Sequence, residues 1–291
     1  MSKILTLSTK NKNYPIYLKR IPNHPDIIYI RGNLDALLQP AIAIVGSRAM
    51  TIYGEKACKK IVSELVQQGF TIVSGLATGI DATAHRTALD LGGSTIAVLA
   101  HGLKLENTFP TEHQALAERI INHDGLLLSE YPPPTVARRF HFPARNRIIA
   151  ALCLGTVVVE AREKSGALIT ARHALENNRE VFAIPGPIFS SRARGVNKLL
   201  RDGAVLVESA TDILNELPIE SKLNAIKLAQ TATFTDEQQK IINLMNDGFS
   251  KPDKISEMLQ ITTASLASNL TELEIKGIVR RNIDYSYSLS L

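Results

Sequence analysis

Two cysteines, Cys58 and Cys153, are the only thiols in 291 residues. They are too few and too far apart for a disulfide framework or a cysteine-based zinc site, so both read as small core residues. Long apolar runs are missing as well. The longest, residues 148–159, is about half the ~20 residues a bilayer span needs and is flanked by Arg147 and Glu160, which excludes a membrane-crossing helix. The N-terminus, M-S-K-I-L-T-L-S-T-K, turns polar before the ~7 apolar residues of a secretory segment accumulate, so the chain is expected to stay in the cytoplasm. V-G-S-R-A-M (45–50) lacks the second and third glycines of G-x-G-x-x-G, and no Walker A sequence occurs. With no H-x-x-x-H spacing either, neither a dinucleotide nor a metal has a case, and the expected cofactor list is empty.

What is present is a 45 % hydrophobic chain, enough for a real core, whose length suggests about two domains at roughly 150 residues each. Charge is unevenly placed. Residues 131–201 hold twelve Lys or Arg against four Glu, a balance of +8, while the rest of the chain sums to −3. That concentration points to an anionic ligand of the middle of the chain, although charge alone fits a solvated basic face equally well.

From Ala41 to Asn215 short apolar runs alternate with amphipathic ones. A-I-A-I-V-G (41–46), F-T-I-V-S-G (70–75), S-T-I-A-V-L (94–99), G-L-L-L-S-E (125–130), T-V-V-V-E (156–160), E-V-F-A-I-P-G (180–186) and A-V-L-V-E (204–208) read as strands buried on both faces. Residues 53–68, 80–91, 111–123, 145–154 and 167–177 carry helical spacing between them. The pattern predicts an α/β fold, a Rossmann-like, doubly wound and mostly parallel sheet over 41–217. Residues 1–40 form a Pro-punctuated extension expected to pack on that sheet, with I-I-Y-I (27–30) as an edge strand. A polar linker follows over 218–233, then a small domain over 234–291. There Thr235 and Gln238 resemble a capping box, and three helices and an alternating tail predict a winged helix.

Ligands of a doubly wound sheet sit at the carboxyl ends of its strands. Strand one ends at Gly46, Ser47 and Arg48, strand two at Ser74 and Gly75, and a later one at Pro185-Gly186-Pro187. Small residues admit close backbone approach, exposed N–H groups at a helix start bind anions, and a guanidinium suits phosphate. The alternative is that Gly46 and Gly75 simply make tight turns. H-F-P-A-R-N-R-I-I-A (141–150) sets Arg145 and Arg147 beside Phe142, a basic and aromatic mixture suited to single-stranded nucleic acid, although a core role for the phenylalanine fits as well. Lys164, Ser165 and Gly166, between a strand end and a helix, form a second anion-binding candidate.

Taken in order, V-G-S-R with Tyr53-Gly54, S-G-L-A-T-G-I-D with Ala84-His85, F-P-A-R-N-R-I-I-A, V-V-V-E-A, S-G-A-L-I-T-A, V-F-A-I-P-G and G-V-N-K-L-L-R-D-G-A resemble the DNA-processing DprA family, also called Smf. The match runs from about Tyr14 to Val207. It implies a Rossmann-like domain that binds single-stranded DNA in a basic pocket, protects incoming strands and loads the RecA recombinase during natural transformation. It also implies a homodimer through the Rossmann-like domain and no catalysis. Carried residue by residue, it puts Gly46, Ser47 and Arg48 at a phosphate-contacting loop beside Ser74 and Gly75, with Arg145, Asn146, Lys164, Ser165 and Gly166 completing the pocket. Three departures stand out. The 13 residues before Tyr14 leave no room for the helical domain many relatives carry there. His113 stands where Asn is more frequent. The expected recognition helix, 263–276, has one basic residue, and 219–291 holds eight Lys or Arg against nine acids, a poor footprint for a duplex reader.

An enzyme is the rival reading. Asp81 and His85 lie four apart on one helix face and could act as an acid–base pair, but no nucleophile accompanies them and structural hydrogen bonding is preferred. Glu160, at a strand end, is where a Rossmann-like nucleotide-processing hydrolase would hold its carboxylate. The P-G-G-x-G-T loop of such enzymes is replaced by P-G-P-I-F, and the +8 segment favours a polyanion.

Overall fold

The computed structural model describes residues 2–217, 235–246, 249–275, 279–282 and 286–289. The chain divides into two compact units, Met1–Ile226 and Lys227–Leu291. The expected linker, 218–233, lies outside the described residues.

The first unit runs β1 (Leu5–Ser8), α1 (Ile16–Lys19), β2 (Ile27–Gly32), β3 (Ala41–Val45), α2 (Ile52–Gln67), β4 (Thr71–Ser74), α3 (Ile80–Asp90), β5 (Thr95–Leu99), α4 (Gln114–Asn122), β6 (Leu126–Ser129), α5 (His141–Leu152), β7 (Gly155–Val158), α6 (Gly166–Glu176), β8 (Glu180–Ala183), α7 (Arg194–Arg201), β9 (Val205–Leu206) and α8 (Ala210–Glu216). All nine strands join one sheet in the order β1-β2-β6-β5-β4-β3-β7-β8-β9. From β6 to β9 the pairings are parallel, as the alternating pattern predicts. The N-terminal extension does pack on the sheet, but I-I-Y-I is not its edge. β2 pairs antiparallel with β6 on one side and with β1 on the other. L-T-L-S, four residues with one buried side chain, is too short to stand out by period and occupies the edge instead.

Alternation along each strand splits the core into two layers. Ala41, Ala43 and Val45 of β3 join the cluster that includes Ile148, Ile149 and Ala171, whereas Ile42 and Ile44 join Cys58, Ile61 and Leu65 on the opposite face. Both cysteines are buried and unpaired, and burial pushes their thiols well above the ordinary range. The strand order reverses between β3 and β7: the chain moves outward through β4, β5 and β6, then returns to the other flank of β3. A switch point of this kind opens a crevice beyond the carboxyl ends of the two strands. Among the described residues no helix is long and apolar enough to cross a membrane.

The second unit holds helices Asp236–Asn246, Pro252–Leu259 and Thr263–Ile275 and an antiparallel pair, Val279–Arg281 with Tyr287–Leu289, which is a winged-helix arrangement. Thr235 Oγ1 accepts the Gln238 N–H, and Gln238 Oε1 accepts the Thr235 N–H, both at 3.3 Å, so the capping box forms. Ile241, Ile242, Ile255, Leu266, Leu270 and Leu273 close a separate core.

Candidate functional site

The loops after β3 and β4 are built into each other. Gly79, before α3, has φ +78°, and a Cβ there would lie 2.2 Å from the Ser47 carbonyl and 2.6 Å from that of Arg48. Only glycine lets the two loops approach this closely. Ile80 N–H then donates to the Ser47 carbonyl at 3.2 Å. Past this junction Thr51 caps α2, accepting the Gly54 N–H at 3.0 Å. Thr51 is in turn held by Glu160, which takes its backbone N–H at 2.9 Å and its hydroxyl. The carboxylate of the hydrolase reading is thus committed to fastening α2 onto the end of β7.

The switch-point crevice is a cleft of about 580 Å3. Of the twelve residues expected at the site, seven line it: Gly46, Arg48, Phe142, Arg145, Asn146, Ser165 and Gly166. Arg48 is exposed, with Cζ 5.4 Å from the centre of the Phe142 ring, and among the described residues it makes no ion pair. Across the cleft Ser165 caps α6 by accepting the Ala167 N–H at 3.3 Å. Asn146 Nδ2 donates to the Gly166 carbonyl at 3.2 Å, which ties the start of α6 to α5. Nothing lies within 4 Å of where a Gly166 Cβ would stand, so this helix start is open to a ligand.

Arg145 plays a different part from the one its motif implies. It is only 4 % exposed, and its guanidinium donates to the carbonyls of Gly75, at 2.7 Å, and Val98. A Cβ on Gly75 would fall 2.5 Å from that guanidinium, so the glycine gives the arginine its seat. Burial lowers the Arg145 pKa to about 10, with Asp81 opposing the shift, and the group stays charged at neutral pH. It forms the floor of the cleft and ties α5 to the ends of β4 and β5.

The other five expected residues lie outside the lining. Ser47 Oγ accepts the Ala49 N–H at 3.2 Å, and the buried Ser74 hydroxyl donates to the Ile44 carbonyl at 2.6 Å. Gly75 N–H is taken by Asp81 at 3.1 Å. Arg147 is paired with Glu130, away from the cleft. Lys164 is exposed and borders a neighbouring groove between α6 and α7, which shares Ser165 and Gly166 with the cleft. Asp81 and His85 do not pair. Asp81 accepts the N–H groups of Gly75 and Ala77, whereas His85 Nδ1 lies 2.7 Å from Thr95 Oγ1 on the core side of α3. Because the Thr95 hydroxyl donates to the Ile72 carbonyl, it accepts from His85 Nδ1–H. Burial lowers the imidazole to about 3, leaving it neutral.

Among the lining residues outside the expected set, Phe109 and Arg139 are the ones with an aromatic or cationic side chain. Arg139 stands in the R-R-F run directly before the motif. Phe109 comes from the long β5–α4 connection and had no signal beyond its place in T-F-P.

Residues 5–218 match the family described as DNA recombination-mediator protein A, and residues 227–282 match the DprA winged helix domain. The chain is 45 % identical to the DNA processing protein DprA of Streptococcus pneumoniae over 214 residues, 74 % of each chain, and 38 % identical to the Smf protein of Escherichia coli over 273 residues, 91 % of this chain and 72 % of that one. The X-ray structure of the Streptococcus pneumoniae protein superposes with a TM-score of 0.70 at 44 % identity, covering 75 % of each chain. A Helicobacter pylori DNA processing protein A, whose structure is described as revealing a unique single-stranded DNA binding mode, superposes with a TM-score of 0.65 at 29 % identity, covering 73 % of this chain and 94 % of that one. Motif order, sheet topology and both domain matches agree, and the chain belongs to the DNA-processing DprA (Smf) family.

Proposed function

We propose that the cleft binds single-stranded DNA, with a phosphate held between Arg48, the Gly46–Ser47 turn and the start of α6 at Ser165–Gly166. Arg139 and Lys164 add charge along the strand, and the bases lie against the aromatic side of the cleft at Phe142. Ser74, Gly75, Arg145 and Asn146 support that geometry from behind. The observation that carries this reading is an exposed guanidinium stacked 5.4 Å from a phenylalanine ring, free of any described carboxylate partner, facing an open helix start. The single-stranded DNA binding named for the Helicobacter pylori relative supports it.

The protein acts by binding, without a reaction of its own. It protects incoming strands and hands them to the RecA recombinase during natural transformation, in the cytoplasm and as a homodimer through the Rossmann-like unit. The recombination-mediator description of the matched family supports the hand-over. Fluorescence anisotropy with a labelled oligonucleotide tests the binding. The expected result is a preference for single strand over duplex, and a fall of log K with log salt of slope about −3 for roughly four phosphate contacts at ~0.7 each. Salt-independent affinity, or tighter duplex binding by the Rossmann-like unit, overturns the reading. A nucleotide-hydrolysis assay on the same preparation is expected to show no turnover.

A further inference from the structure

Phe109 sits on a connection that is fixed at several points while the residue itself stays about half exposed. Just past β5, His101 is buried at 1 % exposure, with Nδ1 2.8 Å from the Gly102 carbonyl. That nitrogen therefore carries the hydrogen, and the lone pair on Nε2 accepts the Phe109 backbone N–H at 3.1 Å. Burial lowers the His101 pKa, which keeps that lone pair available at neutral pH. Gly102 N–H donates to the Thr135 carbonyl at 2.8 Å, and a Cβ at Gly102 would meet the Pro132 and Pro133 carbonyls at 2.2 Å, so the connection is also clamped against the 132–135 loop. Thr108 beside it is buried.

The Phe109 side chain does not follow its backbone inward. The residue is 47 % exposed and lines the cleft, its ring touching Phe142 edge-on with centroids 5.6 Å apart and planes at 62°. Phe142 is partly covered, by Arg48 over its ring and by Phe109 at the other contact. The larger free aromatic face at this end of the cleft belongs to Phe109. An apolar ring held half in water by a pinned backbone loses burial that it would otherwise gain, and a flat unpaired ligand restores that burial.

We propose that Phe109 is a nucleobase-stacking residue of this cleft and that His101 is its positioning residue: the exposed face of the ring takes the base adjacent to the phosphate held at Arg48. The inference rests on the single-stranded DNA reading of the cleft and adds to it the part of the ligand that is read, an unpaired base of any identity, since every base offers a π-face. Sugar and phosphate alone leave the ring unused.

The test uses the full chain and two probes of equal length, an oligothymidylate and an abasic deoxyribose-phosphate strand. Phe109→Leu keeps apolar bulk and removes the aromatic face. It is expected to weaken oligothymidylate binding by about tenfold, the scale of one lost stack, with the salt slope unchanged and the abasic strand bound as by wild type. Phe109→Tyr is expected to bind both probes as wild type does. His101→Gln, which retains an acceptor, is expected to stay within a few-fold of wild type, and His101→Leu to reproduce the base-dependent loss. Melting curves establish that each variant is folded, and if His101→Leu is not, the Phe109 pair decides. Equal losses on both probes, or an altered salt slope, overturn the proposal by showing a disturbed phosphate site. Wild-type binding by Phe109→Leu while Arg48→Ala fails to bind overturns the stacking role and spares the cleft. Wild-type binding by both overturns the cleft itself.

Discussion

Two regions of the Rossmann-like unit carry arginines in similar-looking motifs, and they use them in opposite ways. On the β3–α2 loop, Arg48 stands free in solvent above an aromatic ring. On α5, Arg145 turns inward to the carbonyls of Gly75 and Val98, and Arg147 is taken by Glu130. The difference is one of partners. A guanidinium has five donors to satisfy, and wherever backbone carbonyls or carboxylates already converge on it, little is left for a ligand. The sum of charge in a segment therefore overstates its phosphate-binding capacity. The +8 of residues 131–201 includes at least one charge used as a strut and one already neutralised.

The largest effect expected from this contrast belongs to Arg145. Arg145→Ala strips two buried carbonyls of their donor, removes the positive charge beside Asp81 and opens a void under the cleft. A cost of about 3 kcal/mol follows from charge-assisted bonds alone, a fall in melting temperature on the order of 10 °C for a unit of this size. Differential scanning calorimetry measures it. A shift under 2 °C with a large loss of DNA affinity would return Arg145 to the ligand side of the comparison.

Arg48→Ala is expected to do the reverse. Its side chain supports no core, so melting stays near wild type, while loss of a charge-assisted phosphate contact lowers single-strand affinity ten- to a hundredfold, or about 1.5 to 3 kcal/mol. Arg48→Lys recovers part of that, keeping charge without the planar fork. Binding and melting measured on one preparation separate the two arginines, and wild-type affinity in a folded Arg48→Ala protein removes Arg48 from the site.

A smaller effect tests the buried side of α3. His85 is neutral, and its pKa is depressed below that of the unfolded chain by burial, with the nearby positive charges adding to the shift. A depressed value means the unfolded state binds the proton more readily, so the stability is complete above about pH 6.5 and is lost as the pH falls below it. At pH 5.5 the loss from this group is about 1.4 kcal/mol. His85→Gln should flatten that part of the melting-temperature profile between pH 7 and 5.5, and an unchanged pH profile in the variant contradicts the buried neutral imidazole.

The same contrast explains what the sequence makes legible. The strands and the small-residue loops at Gly46 and Gly75 are readable because alternation and chain reversal are local requirements, whereas the approach of Gly79 to the Ser47 carbonyl and of Gly75 to Arg145 is set by the fold. The position of the switch point is not readable in this way, because the succession of βα units along the chain leaves open between which strands the spatial order reverses. What Arg145 does depends on where the carbonyls of Gly75 and Val98 end up, 70 and 47 residues away in the chain. Phe109 reaches the cleft through a hydrogen bond to His101 that leaves no mark on either residue's neighbours in sequence. β1, at four residues, is too short to register by period, and α7 and α8, at eight and seven residues, are short helices outside the main run of βα units.

The smallest effect is expected from removing the C-terminal unit. Its helix Thr263–Ile275, in the position a winged helix uses to read a duplex groove, holds two glutamates and no Lys or Arg, so it offers no charge to phosphates. Its core closes on itself through Ile241, Ile255, Leu266 and Leu273. The sheet unit likewise completes its own core by Ile213 and Leu217, which pack with Ile42, Ile44 and Leu65. A chain ending at Leu217 should therefore fold, melt cooperatively and keep single-strand affinity within about threefold of the full chain, a change under ~0.7 kcal/mol. Anisotropy titrations of the two lengths at the same salt make the comparison. A drop of a hundredfold would mean that the acidic unit contributes phosphate contacts through residues other than this helix. An unchanged affinity leaves the unit free for contacts with other proteins, the role that a charge balance of eight cations to nine acids over 219–291 fits better than holding DNA.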